Sequence, residues 1–177
     1  PFRGQQDLKA KVIRAVGDPD ARFQEDALRL LRAIRFSCQL NFSIEPKTLD
    51  AITRHANLLE FISKERIRDE FSKLVMTDRG HVGVELMRTT GLLKHVIPEL
   101  LEGVGVGQNK HHIFSVYEHN LKSFQYAVEQ KFPLDVRIAS LLHDVGKSRT
   151  KRGDGIDSTF YGHQVVGEKM ALRILDR

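Results

Sequence analysis

Cysteine is almost missing from this 177-residue chain. Cys38 stands alone, so no intrachain disulfide can form and no cysteine-built zinc site exists. That scarcity fits a reducing compartment, the cytosol. Glycine and proline are also sparse, at 13 and 5 residues, which excludes collagen-like and low-complexity classes. No uninterrupted apolar run reaches the roughly 18 residues of a membrane span, and no charged-then-apolar leader is visible. Nor is there a large excess of one charge: 28 Lys and Arg face 23 Asp and Glu, a formal +5. Such a balance permits a polyanionic partner such as nucleic acid without demanding one. The chain is 41% hydrophobic and 29% charged, enough to bury a core in one large or two small domains. It opens at Pro1 rather than Met and stops at Arg177 inside an amphipathic stretch, as expected of a portion of a longer polypeptide.

Helical periodicity dominates what is present. From Arg22 to Leu40, Phe23, Ala27, Leu30, Leu31, Ile34 and Cys38 gather on one face, while Glu25, Asp26, Arg29 and Arg32 fall opposite. Asn41 to Pro46 breaks the pattern. Further helices are predicted over Lys47–Phe61, Ser63–Met76 and Val82–Thr90, the last stopped by Gly91. Pro98–Lys110, with Gly103, Gly105 and Gly107, reads as a connecting loop. Helices over Ile113–Lys131 and Leu134–Val145 follow, then a charged loop over Lys147–Thr159 and a last helix from Gly162. Before Asp20, alternation within Leu8–Val16 suggests a strand. The expectation is an all-α chain of two helical domains divided near residues 91–110.

Two clusters carry chemistry. The first is the charged face Glu25–Arg35. Its bland reading is a solvated face, with Glu25–Arg29 and Asp26–Arg29 as ordinary helix pairs. Its functional reading uses the same geometry. The pairing edges of cytosine and adenine each present an amino donor beside a ring-nitrogen acceptor, and uracil and guanine present the reverse. A fixed Asp26/Arg29 pair therefore accepts C and A and rejects U and G, because a mismatch leaves buried polar groups unpaired. Arg32 and Arg35 would contact phosphates. The second cluster lies in Leu141-Leu142-His143-Asp144-Val145-Gly146-Lys147. His119 on the preceding helix and His163 at the start of the following one can aim at His143 and Asp144. Imidazoles plus a carboxylate suit a transition metal such as Mn, Ni, Zn or Fe. Such an ion acidifies a bound water and polarises a phosphoryl oxygen, the requirement of phosphoester hydrolysis.

Glu25-Asp26-Ala27-Leu28-Arg29-Leu30-Leu31-Arg32-Ala33-Ile34-Arg35-Phe36 resembles the base-recognition motif of class II tRNA nucleotidyltransferases, the CCA-adding enzymes and their poly(A) polymerase relatives. Gly4–Leu8, Ile13–Pro19 and the neck-like Ser63-Lys64-Glu65-Arg66-Ile67-Arg68-Asp69-Glu70-Phe71 are similar to the same family. The resemblance implies that Asp26 and Arg29 read the incoming base, that Glu25 fixes Arg29, and that Glu65 and Arg66 support the neck. It also implies tRNA, ATP and CTP as partners, with Mg²⁺ held in a catalytic head whose carboxylates are not in this sequence. No catalytic residue for nucleotidyl transfer is therefore expected here. The stretch Gln108–Arg177 resembles the HD superfamily of metal-dependent phosphohydrolases. That likeness implies His119, His143 and Asp144 as ligands, His163 as a fourth or second-metal ligand, and Lys147 facing substrate phosphate. The superfamily's last aspartate normally lies further on than Arg177, and a degenerate HD fold kept as structure is the bland alternative.

The expected organisation is a head remnant and linker over 1–20, a helical neck over 21–95 and an HD-type domain over 96–177. The expected function is base selection and tRNA binding within a CCA- or A-adding nucleotidyltransferase. The rivals are an HD phosphohydrolase acting on nucleotide phosphoesters and a non-catalytic RNA-binding module. Gly103–Gly107 lacks the strand and Lys-Ser/Thr of a phosphate loop, and Gly153–Asp157 lacks the spacing of a calcium loop. Cys38 reads as packing. His55, His81 and His95 read as surface or satisfied core histidines, and His111 and His112 as loop histidines without a role.

Overall fold

A computed structural model describes residues 3–108, 113–153 and 155–177. His111, His112 and Asp154 lie outside them. The chain divides into two compact units, residues 1–96 and 97–177.

The first unit begins with α1 (Gly4–Ala10), which ends where Lys11 turns left-handed at φ 55°. The strand expected over Leu8–Val16 shrinks to β1 (Val12–Ile13), paired in parallel with β2 (Ser43–Ile44). Helix α2 (Pro19–Glu25) starts as the Gly17-Asp18-Pro19 signal suggests: Pro19 takes the first turn and Asp18 accepts from the backbone N–H groups of Asp20 and Ala21. The single helix predicted over Arg22–Leu40 is broken. Asp26 adopts extended backbone (φ −149°, ψ 102°), and α3 (Leu28–Leu40) begins two residues later. The cause is local: the Asp26 carboxylate accepts from Leu28 N–H at 3.1 Å, so the acid caps a new helix instead of continuing the old one.

Helix α4 (Pro46–Arg54) is capped by Glu45 accepting from Thr48 N–H, and a 3-10 turn (Ala56–Phe61) replaces the second half of the helix expected there. Helices α5 (Lys64–Val75) and α6 (Gly80–Thr89) pack on α3, and α7 (Leu93–Val96) closes the unit. Leu30, Leu31 and Ile34 of α3 are buried with Ile67, Phe71 and Leu74 of α5 and with Val84 and Met87 of α6. Cys38 lies in this core, where burial pushes its thiol pKa up. Gly91 takes the left-handed conformation (φ 81°) just after α6, as its lack of a Cβ permits.

In the second unit, α8 (Pro98–Leu101) is a single helical turn inside the segment expected to be loop. Of the glycines after it, Gly103 is packed, while Gly105 and Gly107 are exposed. Val106 and Gly103 carbonyls accept from Val116 and Tyr117 N–H at 2.9 and 3.1 Å, and a Cβ on Gly103 would lie 2.9 Å from the Tyr117 nitrogen. These bonds satisfy donors that the start of α9 (Val116–Glu129) leaves open. Ser115 and Glu118 add a reciprocal capping box. Helix α10 (Leu134–Leu142) lies against α9, burying Phe124, Ala127, Val128 and Leu141. The predicted charged loop contains α11 (Lys147–Thr150) and a 3-10 turn (Gly155–Asp157), and α12 (His163–Leu175) follows Gly162. Among the described residues no helix is long and apolar enough to cross a membrane.

Candidate functional site

In the first unit the break between α2 and α3 places Asp26 on the wall of an open cleft of about 550 Å³, with Phe61, Ile62 and Arg66 among the other lining residues. The Asp26–Arg29 pair expected from helical spacing is not formed. Backbone rotation at Asp26 turns its carboxylate to Leu28 N–H and to the Arg66 guanidinium, whose Nη2 donates to both oxygens at 3.2 Å. Arg29 instead forks onto Glu25, with its two terminal nitrogens 2.8 and 3.1 Å from the two oxygens, and also donates to the Arg22 carbonyl. That contact holds the Glu25 carboxyl below its ordinary pKa. Arg22 also pairs with Glu25.

The two residues expected at phosphate part company. Arg32 is exposed, its guanidinium 5.8 Å from the Phe36 ring centre. Arg35 is withdrawn into the unit, 2.8 Å from the buried Glu70 carboxylate and stacked on Phe36 at 4.2 Å. A buried acid binds it more firmly than an exposed anion would, so phosphate contact by Arg35 is not what this geometry offers. His55 and His95 are engaged by Asp20 at 2.7 Å and Glu60 at 3.2 Å.

In the second unit, α9, the end of α10 and the start of α12 bring three histidines to one carboxylate. His119 and His143 each place Nε2 at 3.3 Å from Asp144 Oδ2, and His163 Nε2 lies 3.7 Å from Oδ1. His119, His143 and Asp144 offer ligand atoms within 4.8 Å of one another. His163 stands outside that trio, facing the other oxygen. The rings of His143 and His163 are oriented from behind: Nδ1 of each faces a backbone carbonyl, Ser140 at 2.9 Å and Phe160 at 2.8 Å. Nδ1–H donation there leaves the Nε2 lone pair directed inward, the arrangement that metal-binding imidazoles require.

The donor set fits a divalent transition ion. His119 and His143 Nε2 are 3.1 Å apart and face the same carboxylate oxygen, so either an imidazole N–H proton or a cation lies between them. Asp144 draws such a proton, and its hydrogen bond raises the His143 pKa against burial. Burial alone would raise the Asp144 pKa, but hydrogen bonds to His143 and Lys147 outweigh it and hold the acid well below its ordinary value. Lys147 is engaged differently than expected. Its ammonium donates to Asp144 Oδ2 at 2.7 Å and to Gln108 Oε1 at 2.8 Å, although it also borders a second cleft of about 370 Å³.

Gln108 as a partner of Lys147, and Arg66 as a partner of Asp26, were not foreseen. Their contacts span 39 and 40 residues, and no local pattern signals them.

Residues 41–103 match the family described as the probable RNA and SrmB-binding site of polymerase A, and residues 111–177 match the HD domain. The A-adding tRNA nucleotidyltransferase of Deinococcus radiodurans is 37% identical across 100% of this chain and 42% of its own length. The chain is thus similar to tRNA nucleotidyltransferases along its whole length. The CC-adding tRNA nucleotidyltransferase of Thermus thermophilus is 32% identical over 94% of the chain and 40% of its own length. A solved tRNA-processing enzyme with CTP matches at 28% identity and a TM-score of 0.61, covering 82% of this chain and 39% of that one. The chain thus spans about two fifths of the length of these nucleotidyltransferases. Their names differ in what is added, A in one and CC in the other, so the likeness leaves the added nucleotide open.

Proposed function

We propose that the first unit selects the incoming nucleotide and helps hold tRNA within an enzyme that adds CCA, or part of it, to tRNA 3′ ends. Asp26 accepts from the amino group of cytosine or adenine. Arg29, steadied by Glu25, donates to the neighbouring ring nitrogen, and exposed Arg32 contacts phosphate. The observation that carries this reading is the Asp26 carboxylate on the wall of a cleft large enough for a nucleotide, where Leu28 N–H orients it and its one side-chain partner among the described residues is a half-exposed arginine. An exposed pair of that kind contributes about 0–1 kcal/mol, so a base's amino group can replace it. The nucleotidyl-transfer chemistry, with Mg²⁺, resides in a head outside this sequence, and ATP and CTP are its substrates. In the enzyme carrying this chain, Asp26→Ala is expected to reduce the preference in kcat/KM for CTP and ATP over UTP and GTP by tenfold or more. An unchanged preference overturns the reading.

The converging imidazoles favour a second activity in the other unit: metal-dependent hydrolysis of nucleotide phosphoesters. His119, His143 and Asp144 would hold the ion, with His163 beside them, and this donor set suits Mn, Ni, Zn or Fe. When bound, such an ion acidifies water and polarises the phosphoryl oxygen. The residues of the chain orient it through the Ser140 and Phe160 carbonyls. Equilibrium dialysis with Mn²⁺ should show binding that His143→Ala and Asp144→Ala abolish. No binding, or binding indifferent to both substitutions, would leave the cluster as structure in a tRNA-holding body.

A further inference from the structure

The second cleft borders the imidazole cluster through Lys147 and His163, and its lining includes none of His119, His143 and Asp144. One wall is aromatic. Phe160 and Tyr161 line it together with Lys147, His163 and Gln164. Tyr161 is 83% exposed, an unusual position for so large a ring, yet the turn that carries it is tied at both ends. On one side Thr159 pairs with Arg152 through reciprocal backbone bonds of 2.9 and 3.0 Å. On the other, the Phe160 carbonyl accepts from both the backbone N–H and the ring Nδ1 of His163, at 3.2 and 2.8 Å. Gly162 then turns left-handed (φ 74°) into α12, a conformation that glycine, lacking a Cβ, adopts without strain. The ring is therefore presented by a fixed turn. Lys147, whose ammonium lies 5.8 Å from the Phe160 ring centre, joins this wall to Asp144.

We propose that this cleft is a stacking subsite for a nucleobase, with Tyr161 as its platform. The substrates of the second unit are then nucleoside phosphates of any base rather than small phosphoesters. The inference rests on reading that unit as a phosphoester site. A phosphate placed at His163 and Lys147 leaves its attached group over the aromatic wall, and a space of about 370 Å³ accommodates a base with its sugar. Stacking needs only a π-face, so it is base-tolerant, unlike the edge reading proposed for Asp26. Exposed Gln164 at the rim adds an adaptable amide without imposing one base.

Calorimetric titration of the chain with guanosine 5′-monophosphate and with ribose 5-phosphate tests this. Guanine is chosen because the Asp26 site should refuse it. The guanosine nucleotide is expected to bind about tenfold or more tightly than ribose 5-phosphate. Tyr161→Leu should bring that ratio near one and Tyr161→Phe should restore it. Equal binding of the two ligands, no measurable binding of either, or a ratio indifferent to Tyr161→Leu overturns the proposal. Hydrolysis of bis(p-nitrophenyl) phosphate with added Mn²⁺, lost in His143→Ala, tests the phosphoester reading separately. Its absence would sink that reading while the titration alone decides the stacking subsite.

Discussion

Gly146 follows the His143-Asp144 pair by two residues and touches α12 backbone to backbone. A Cβ added to Gly146 would lie 2.5 Å from Gly167 N and 2.8 Å from Gly167 Cα, and closer still to the His163 carbonyl. Ordinary contact begins near 3.4 Å, so Gly146→Ala forces α12 away by the better part of an ångström. Backbone torsion is not the obstacle, since Gly146 sits at φ −74°, ψ −14°, where alanine is at ease. The penalty is overpacking against atoms that cannot rotate aside, about 2 kcal/mol. In a domain of fewer than 100 residues that lowers the melting temperature by about 8–16 °C. Gly167→Ala is the internal control. Its Cβ would meet Gly146 at 3.4 and 3.7 Å, ordinary contact, and alanine inside α12 gains up to about 1 kcal/mol in helix propensity. Thermal melts followed by circular dichroism should therefore move in opposite directions for the two alanines. Displacing α12 also carries His163 from its 3.7 Å approach to Asp144, so Gly146→Ala should weaken Mn²⁺ binding as well. Equal melting of both variants, or a Gly146→Ala protein as stable as wild type, refutes the close-contact reasoning.

Elsewhere in the molecule, Glu70→Ala leaves the Arg35 guanidinium without its buried partner. Urea unfolding should register a loss of about 3 kcal/mol, and a loss below about 0.5 kcal/mol would contradict a structural role for that pair. Burial acts to raise the Glu45 pKa, but hydrogen bonds from Thr48 and the charge of Arg14 outweigh it and hold the carboxyl below the usual 4.5. A depressed folded pKa stabilises above the unfolded value, so the stability difference between wild type and Glu45→Gln should be full at neutral pH. It should fade as pH falls below about 4.5, and a difference independent of pH would contradict the assignment. Asp18→Ala removes the acceptor at the start of α2 and should cost about 1 kcal/mol in urea unfolding, against no change if the cap is idle.

Periodicity made most of the helices legible. Ile67, Phe71 and Leu74 announce the buried face of α5, and Gly91 marks the end of α6 through a conformation other residues avoid. The break at Asp26 was hidden because apolar spacing runs on from Phe23 through Ala27 to Leu30, while the interruption comes from a side chain competing for a backbone donor. That single bond redirects Asp26 and so decides which guanidinium it meets. The convergence of His119, His143 and Asp144 was visible as residue types on successive helices, since each helix end carries its histidine to the same place. The anchoring of Lys147 was not legible, because its partner Gln108 lies 39 residues earlier. Arg35 likewise shows helical exposure in sequence, yet Glu70, 35 residues on, draws it inward.

The claim on which the account turns is that Asp26 is the acceptor for an incoming base's amino group. A structure of the whole protein carrying this chain, solved with CTP, measures it directly. The account predicts about 2.7–3.2 Å between an Asp26 carboxylate oxygen and cytosine N4, with Arg66 displaced from that oxygen. CTP bound with N4 more than about 4 Å from Asp26, and Arg66 still seated on the carboxylate, would contradict it.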